Sequence, residues 1–272
     1  MIDIEISESM IELNLPSYTY DTIIKFIKDF VGNKKVLIGL SGGVDSTVVA
    51  TLCARALGNS AVLAISMPDT RSDTKNMSDV RLVTKNLNIE LRTIYIDKIL
   101  ELYKNTLGNL NTLVLGNLKA RIRMTILYSV ANKEKRLVVG TSNKSELLTG
   151  YFTKYGDGAA DFYPIADLYK TQVKMLAKVI EIPGTIIKKV PTAGLWKGQT
   201  DEKELGIDYK DLDLILYGFE LGYNSEEIAE VTGLTIEKIK IVEKKIQDSK
   251  HKRIILYVPK VGVRTVGTDW RE

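Results

Sequence analysis

A short run of serine, glycine and aspartate, Ser41-Gly42-Gly43-Val44-Asp45-Ser46, contains the residue types that can bind a phosphate group. It follows an apolar run and precedes a helical pattern. Glycines let the backbone turn sharply and present its N–H groups, and the positive end of the following helix favours an anion. We therefore predict that these residues bind the phosphates of a nucleotide, and we expect Gly39 and Leu40 before them to contact the same nucleotide.

The residue that separates this loop from commoner phosphate loops is Asp45. The loop lacks the GK[ST] ending of a P-loop and the G-x-G-x-x-G spacing of a dinucleotide fold, and an aspartate stands where a lysine would be. A carboxylate is repelled by phosphate oxygens unless a cation lies between them. The sequence thus predicts that Asp45 binds Mg²⁺, which bridges to the pyrophosphate end of ATP.

Alternating strands and helices position this loop. Apolar runs at 35–40, 61–66, 91–96 and 137–140 are separated by helical patterns, which is typical of parallel strands with helical crossovers. We predict an α/β fold, a Rossmann-like three-layer sandwich with a central, mostly parallel sheet, forming a single domain over 1–272. An opening helix follows Ser17 as a candidate N-cap, and Gly108 and Gly116 are candidate breaks within the helical stretch 97–133. The polar, glycine-containing segment 192–206 is predicted to be a mobile lid.

Composition limits the class of protein. The 272 residues include 38 Lys and Arg against 34 Asp and Glu, a net charge of +4 that does not require a nucleic acid or a membrane as partner. The single cysteine, Cys53, excludes an internal disulfide and is expected to pack in the core. No apolar run approaches the length needed to cross a bilayer, so we expect a cytoplasmic protein.

Longer motifs carry a family resemblance. The loop SGGVDS looks like that of the ATP pyrophosphatases, which transfer AMP and release pyrophosphate. The block LVVGTSNKSELLTGYFTKYGDGAADFYPIADLYKTQV is similar to the ammonia-dependent NAD⁺ synthetases, as are GNLKARIRM, PTAGLWKGQTDEKELG and His251-Lys252-Arg253 in the same order. The resemblance implies ATP-dependent amidation of deamido-NAD⁺ by ammonia through an adenylate intermediate, in a homodimer, with Mg²⁺ as cofactor.

The resemblance also implies roles for individual residues. Thr141, Lys170 and Thr192 would contact ATP, Glu146 would share magnesium with Asp45, and Asp45 and Lys170 would be catalytic. The implied contacts to deamido-NAD⁺ are Arg121, Lys154, Asp161, His251 and Lys252. From the residues alone, Thr141 could equally be a helix N-cap and Lys170 a solvated lysine on a helix face. Contacts to adenine after the second strand, around Arg71, stay open.

Other functions remain to be separated from this one. SEEIAEVTGLTIEKIKIVEKK is compatible with a helix-turn-helix that binds DNA, with Gly233 in the turn. Another ATP-pyrophosphatase-type synthetase is the second alternative, and ammonia could be free or delivered by a partner protein. We expect the homodimer contact within 109–130, where Leu110, Leu113, Val114, Leu118 and Ile122 offer apolar surface, although burial within one chain is an alternative.

Overall fold

The computed structural model describes residues 12–69, 74–196, 198–254 and 258–266. Arg71 lies outside them. In these ranges the chain forms four strands, β1 Lys35–Gly39, β2 Val62–Ser66, β3 Glu90–Thr93 and β4 Arg136–Val139. The helices of the same ranges are α1 Thr19–Val31, α2 Val44–Leu57, α3 Thr74–Leu87, α4 Asp97–Leu107, α5 Thr112–Glu134, α6 Lys144–Thr149, α7 Lys170–Val179, α8 Gly184–Ile187, α9 Asp201–Leu205, α10 Tyr209–Glu220, α11 Ser225–Thr232, α12 Ile236–Asp248 and α13 Lys250–Arg253.

The sheet has the order β3-β2-β1-β4, and every neighbouring pair is parallel. The chain first moves outward from β1 to β3 and then crosses back through α4 and α5 to place β4 on the other side of β1. Strand order therefore reverses between β1 and β4, and ligands of open parallel sheets bind at the carboxyl ends of strands at such a point. This arrangement confirms the predicted α/β class.

Side chains of the strands alternate between two apolar layers. Val36 and Ile38 of β1 face a cluster formed with α1, α2 and α7, whereas Leu37 faces a second cluster formed with α4 and α5. Both faces of the sheet are thus covered by helices, as the apolar composition of its strands requires. Cys53 of α2 is fully buried in the first cluster, which confirms its predicted core position.

Helices α9 to α12 bury a third cluster of their own against Tyr169. Gly233 joins α11 to α12 with φ of 69°, so the predicted turn is present. Ile239 and Val242 of α12 are buried in this cluster, and Lys238 pairs with Asp211 of α10. Within the described residues, no helix combines the length and apolarity needed to cross a lipid bilayer.

Three local predictions were wrong. Gly116 does not break a helix, because it lies within α5, where Leu195 and Trp196 pack against its Cα. Ser17 does not cap α1: the N-cap is Tyr18, without a side-chain hydrogen bond. β3 ends at Thr93 rather than at residue 96, although the N–H groups of Ile94 and Ile96 still donate to the Ser66 and Pro68 carbonyls before α4 begins.

Candidate active site

The loop between β1 and α2 is held in a defined conformation by its own hydroxyl groups. The Oγ atoms of Ser41 and Ser46 lie 3.1 Å apart, and Ser41 Oγ accepts a hydrogen bond from the Gly43 N–H at 3.3 Å. Thr47 Oγ1 donates to the Gly43 carbonyl at 2.8 Å. Since α2 begins at Val44, the first turn of this helix, including Asp45, opens beside the loop, as the phosphate-site prediction requires.

Gly42 has a backbone conformation and a neighbour that exclude a side chain. Its φ is 79°, and a Cβ atom there would lie 2.7 Å from the Asn76 carbonyl oxygen of α3. The Gly42 carbonyl also accepts a hydrogen bond from Lys189 Nζ at 3.0 Å. The loop is thus closely packed against α3 and the segment that follows α8.

We expect Gly42→Ala to destabilise the fold by about 2–4 kcal/mol, the sum of positive-φ strain and overpacking against backbone. Gly233→Ala is the matched control, because Gly233 also has a positive φ of 69° but no atom within 4 Å of the added Cβ. Urea denaturation of both variants measures the difference. Equal losses of stability would show that Asn76 does not restrict the loop.

Three charged side chains meet in front of this loop. Lys170 Nζ, at the start of α7, donates to Asp45 Oδ2 at 2.5 Å and to Glu146 Oε1 at 3.3 Å. Asn143 orients both carboxylates: its Nδ2 donates to Asp45 Oδ1 at 3.1 Å, and its backbone N–H donates to Glu146 Oε2 at 3.2 Å. The predicted proximity of Asp45 and Glu146 is therefore present, and Lys170 lies between them.

Burial and charge act in opposite directions on this centre. Burial lowers the pKa of Lys170, but the carboxylates of Asp45 and Glu146 outweigh it and raise that pKa. Burial raises the pKa of Glu146, and the Lys170 ammonium opposes part of that rise. When both carboxylates are ionised, the three groups together carry one negative charge, which favours a further cation beside them.

The centre opens into a cavity of about 550 Å³, within the usual range for a small-molecule site. Its wall includes the loop, the carboxyl ends of β2 and β4, part of α5, and the segment around Thr192. Of the residues predicted to bind ATP, the following line it: Gly39, Leu40, Ser41, Gly43, Val44, Asp45, Ser46, Thr141, Lys170 and Thr192. Gly42 is the exception, since it contacts α3 instead.

Two alternative interpretations of these residues are wrong. The N-cap of α6 is Asn143, not Thr141, which leaves the Thr141 side chain beside the cavity. Lys170 is only 3% exposed and is not a solvated lysine on a helix face. Both residues keep the positions expected of contacts to a ligand.

The residues predicted to bind the second substrate lie in three different places. Lys252 lines the cavity, with Nζ donating to the Gly150 carbonyl at 2.7 Å. Arg121, Lys154 and His251 lie together outside the cavity wall: Arg121 donates to the Lys154 carbonyl at 3.4 Å and Lys154 Nζ to the His251 carbonyl at 2.5 Å. Their role stays a prediction.

Asp161 lies apart from that group. Its Oδ2 accepts a hydrogen bond from the Val138 N–H of β4 at 2.7 Å, and its Oδ1 accepts from Tyr128 OH at 3.4 Å. On α5, Arg123 rather than Arg121 lines the cavity and donates to the Met67 carbonyl at 3.0 Å. Arg121 was predicted as a contact to the second substrate, and that contact too stays a prediction.

Sequence reasoning missed Asn143, Lys189 and Asp213 near this centre. Asn143 had a readable signal, because Asn-Lys-Ser-Glu has the spacing of a capping box, and both of its hydrogen bonds are present. Lys189 pairs with Asp79 and contacts Asn76, and Asp213 is fully buried. No local sequence pattern predicts the contacts of Lys189 or Asp213, because the partners of both residues are distant in the chain.

Comparison with known proteins identifies the class. A family model described as NAD synthase matches residues 19–255, and the chain belongs to this family. The NH(3)-dependent NAD(+) synthetase of Pyrococcus furiosus is 46% identical over 241 residues, covering 88% of this chain and 93% of the relative. The family assignment agrees with the resemblance expected from the motifs.

Two solved structures are similar over the whole fold. The NMN synthetase from Francisella tularensis has a TM-score of 0.80 at 34% identity, covering 92% of this chain and 100% of that one. The NH3-dependent NAD synthetase from Campylobacter jejuni has a TM-score of 0.77 at 33% identity, with the same coverage of both chains. These relatives are enzymes by name, and the helix-turn-helix alternative is not favoured.

Proposed function

We propose that this chain is an ammonia-dependent NAD⁺ synthetase that amidates deamido-NAD⁺ at the expense of ATP. The observation that carries the proposal is Lys170 held between Asp45 and Glu146 beside the phosphate loop, at the end of a cavity large enough for a nucleotide. A cation at this position neutralises phosphate charge without acting as a nucleophile. Relatives named NH(3)-dependent NAD(+) synthetase are the basis for choosing deamido-NAD⁺ as the molecule that is activated and amidated.

In the first step, an oxygen of the nicotinate carboxylate attacks the α-phosphorus of ATP, and the bond to the bridging oxygen of pyrophosphate breaks. Loop N–H groups around Gly43 and the Lys170 ammonium stabilise the charge that develops on the leaving pyrophosphate. In the second step, ammonia attacks the acyl carbon, the bond from that carbon to the AMP oxygen breaks so that AMP leaves with the oxygen, and the nitrogen loses a proton. The protein positions the reactants and needs no covalent intermediate of its own.

Magnesium fits the donor set of this site. Asp45 and Glu146 both reach one cation, Lys170 Nζ, and Mg²⁺ is commonly bound by one or two carboxylates together with water and substrate phosphates. Asp45 and Glu146 would hold the ion beside the loop. When bound, Mg²⁺ would supply neutralisation of the charge that develops on the leaving pyrophosphate.

The activity is tested by incubating the protein with ATP, Mg²⁺, ammonium and deamido-NAD⁺. We expect NAD⁺, AMP and pyrophosphate in equal amounts. A parallel reaction replaces deamido-NAD⁺ with nicotinate mononucleotide, because the similar Francisella protein is called an NMN synthetase. Faster turnover of the mononucleotide would reassign the acceptor, whereas release of ADP and phosphate would contradict adenylate transfer altogether.

A second protomer completes the proposal for the acceptor. Leu113 and Val114 at the start of α5 are 62% and 45% exposed, which supports a homodimer contact in 109–130. Ile122, by contrast, is buried within the monomer and contributes no surface. Arg121, Lys154, His251 and Lys252 would bind deamido-NAD⁺ beside that contact, and Asp161 would orient it.

A reducing compartment such as the cytoplasm suits the buried free thiol of Cys53.

The segment 192–206 is proposed as the lid over the adenylate. Its first half lines the cavity, and Trp196 contacts Gly116, where an added Cβ would lie 3.0 Å from Cζ3 of the indole. Lys119 Nζ also donates to the Leu195 carbonyl at 2.7 Å. Helix α9 forms its second half, with Leu205 buried. Exclusion of water would protect the adenylate from hydrolysis.

We expect Trp196→Ala to uncouple ATP consumption from amidation, because removal of the indole loosens the lid on α5. The ratio of AMP to NAD⁺ formed, close to one in the unaltered protein, should rise to about two or more as water competes with ammonia for the adenylate. Both products are quantified by chromatography at limiting ammonium. A ratio unchanged from that of the parent protein would argue against the lid.

A further inference from the structure

A second buried carboxylate lies behind the charged centre, outside the cavity. Asp213 of α10 is fully buried. It lies among the C-terminal helices and is not part of the cavity wall. Burial raises its pKa to about 6, and hydrogen bonds from Ser145 and Thr171 oppose that rise. An ionised carboxylate without solvent is costly unless its oxygens are bonded.

Both oxygens of Asp213 accept hydrogen bonds from residues next to the catalytic groups. Oδ1 accepts from Ser145 Oγ at 2.5 Å, and Oδ2 accepts from the Thr171 N–H at 2.8 Å. Ser145 Oγ in turn accepts from the Lys170 N–H at 2.9 Å. Asp213 and Ser145 thus satisfy the first two N–H groups of α7, which have no partner within their own helix.

These hydrogen bonds, from Asp213 through Ser145 to the start of α7, are called the relay below. They join Ser145, the chain neighbour of Glu146, to the backbone of Lys170. Ser145 precedes Glu146 in the first turn of α6, and Lys170 is the first residue of α7. Any rotation or slide between these two helix starts would separate Lys170 Nζ from Glu146 Oε1. The relay therefore restrains the geometry of the cation centre from the side opposite the substrate.

We infer that Asp213 is a positioning residue for the reaction proposed above: through Ser145 and the first two N–H groups of α7, it fixes Lys170 and Glu146 beside the phosphate loop. The inference rests on the proposed function for its catalytic consequence. Its structural content, the placement of Lys170, is measurable without turnover.

Asparagine cannot replace Asp213 in this role. The site requires two acceptors, one for the Ser145 hydroxyl and one for the Thr171 N–H, but an amide offers one acceptor and one donor. With the amide nitrogen towards Thr171, two donors face each other. With it towards Ser145, the nitrogen donates to the second lone pair of Ser145 Oγ, and the serine O–H proton loses its acceptor. Asp213→Asn therefore leaves one buried donor without an acceptor in either orientation while keeping the volume of the side chain.

The first test measures the accessibility of the Lys170 amine by competitive labelling with acetic anhydride, followed by peptide mass spectrometry. Lys119 is the internal reference, because it is also buried, at 2% exposed, but lies on α5 and pairs with Asp69. We expect Asp213→Asn to raise labelling of Lys170 by about tenfold, with that of Lys119 unchanged. A parallel rise at both lysines would indicate general loosening of the fold and would overturn the inference.

The second test is kinetic. We expect kcat of Asp213→Asn to fall by about 100-fold, with KM for ATP within about threefold of the parent value, since the phosphate loop itself is untouched. Asp211→Asn is the matched control on the same helix: Asp211 pairs with Lys238 at the surface of α12, and this variant should keep both its turnover and its Lys170 labelling. Wild-type kcat and labelling in Asp213→Asn would sink the inference.

Ser145→Ala provides a second route if Asp213→Asn does not fold. It removes the bond to the Lys170 N–H but keeps the bond between Asp213 and Thr171, and we expect a fall in kcat of about tenfold with selective labelling of Lys170. Unchanged labelling in this variant would contradict the relay. A parent protein that forms no NAD⁺ would overturn the proposed function alone, because the labelling result decides the positioning of Lys170 independently.

Discussion

Asp45→Asn is expected to lower kcat by about 10³-fold while leaving the protein folded, because the proposed mechanism places this carboxylate beside the phosphates and their counter-ion. The side chain is 17% exposed and nearly isosteric with asparagine, and Lys170 keeps its contact with Glu146. Steady-state formation of NAD⁺ and the Mg²⁺ concentration for half-maximal rate are the measurements. Raised Mg²⁺ should restore only part of the rate.

Asp29→Asn is the control for this variant. Asp29 pairs with Lys25 on the exposed face of α1, outside the cavity wall, so its removal should leave kcat and the Mg²⁺ dependence unchanged. If Asp45→Asn retained the parental rate and Mg²⁺ dependence, Asp45 would be removed from the metal site, and the charged centre would need another explanation.

Lys170→Met is expected to damage both activity and stability. The ammonium is buried between two carboxylates, so its loss leaves Asp45 and Glu146 facing each other without a counter-charge. Breaking a buried pair in this way costs about 3–5 kcal/mol of unfolding free energy, and loss of the cation proposed to stabilise pyrophosphate should lower kcat by about 10²–10³-fold. Chemical denaturation and product analysis measure the two effects separately.

The stability loss should become smaller as the pH falls through the raised pKa of Glu146. Without Lys170, the pKa of Glu146 rises further above its usual value, because burial and the Asp45 charge both raise it and the lysine no longer opposes them. A raised carboxyl pKa favours the folded state when the group is protonated, so lowering the pH relieves the repulsion. Lys178→Met, on the exposed face of the same helix, is the matched control and should show neither effect. A variant Lys170→Met as stable as this control at neutral pH would contradict the ion-pair account.

The sequence predicted the frame of the fold well because its strands are short apolar runs bounded by glycine or polar residues. β1, β2 and β4 lie within one residue of their predicted limits. The error at Gly116 has a physical cause: the cost of glycine in a helix, about 1 kcal/mol, is small beside the packing of a 23-residue helix, and the missing side chain makes room for Trp196. Local propensity gave way to a tertiary contact.

The residues of the candidate site differ in the same way between those that local sequence predicted and those that depend on tertiary contacts. The loop around Asp45 was predicted as a phosphate site from residues adjacent in the chain, and Glu146 and Lys170 were assigned through longer motifs. Asp213 was not predicted, because an aspartate within a helical pattern is ordinarily a solvated residue, and its burial depends on partners 68 and 42 positions away. Spacing rules do not reach contacts of that kind.

The wide separation of the charged centre along the chain has a consequence for how the protein folds. Asn143 and Lys170 lie 98 and 125 positions from Asp45, and β4 must pair with β1 before either can reach it. Contacts between distant segments form slowly, since loop closure precedes any stabilisation they provide. A growing chain released after β3 would contain the entire phosphate loop but lack Glu146 and Lys170. Catalytic activity is therefore among the last properties that the chain acquires during synthesis, well after the phosphate loop has left the ribosome.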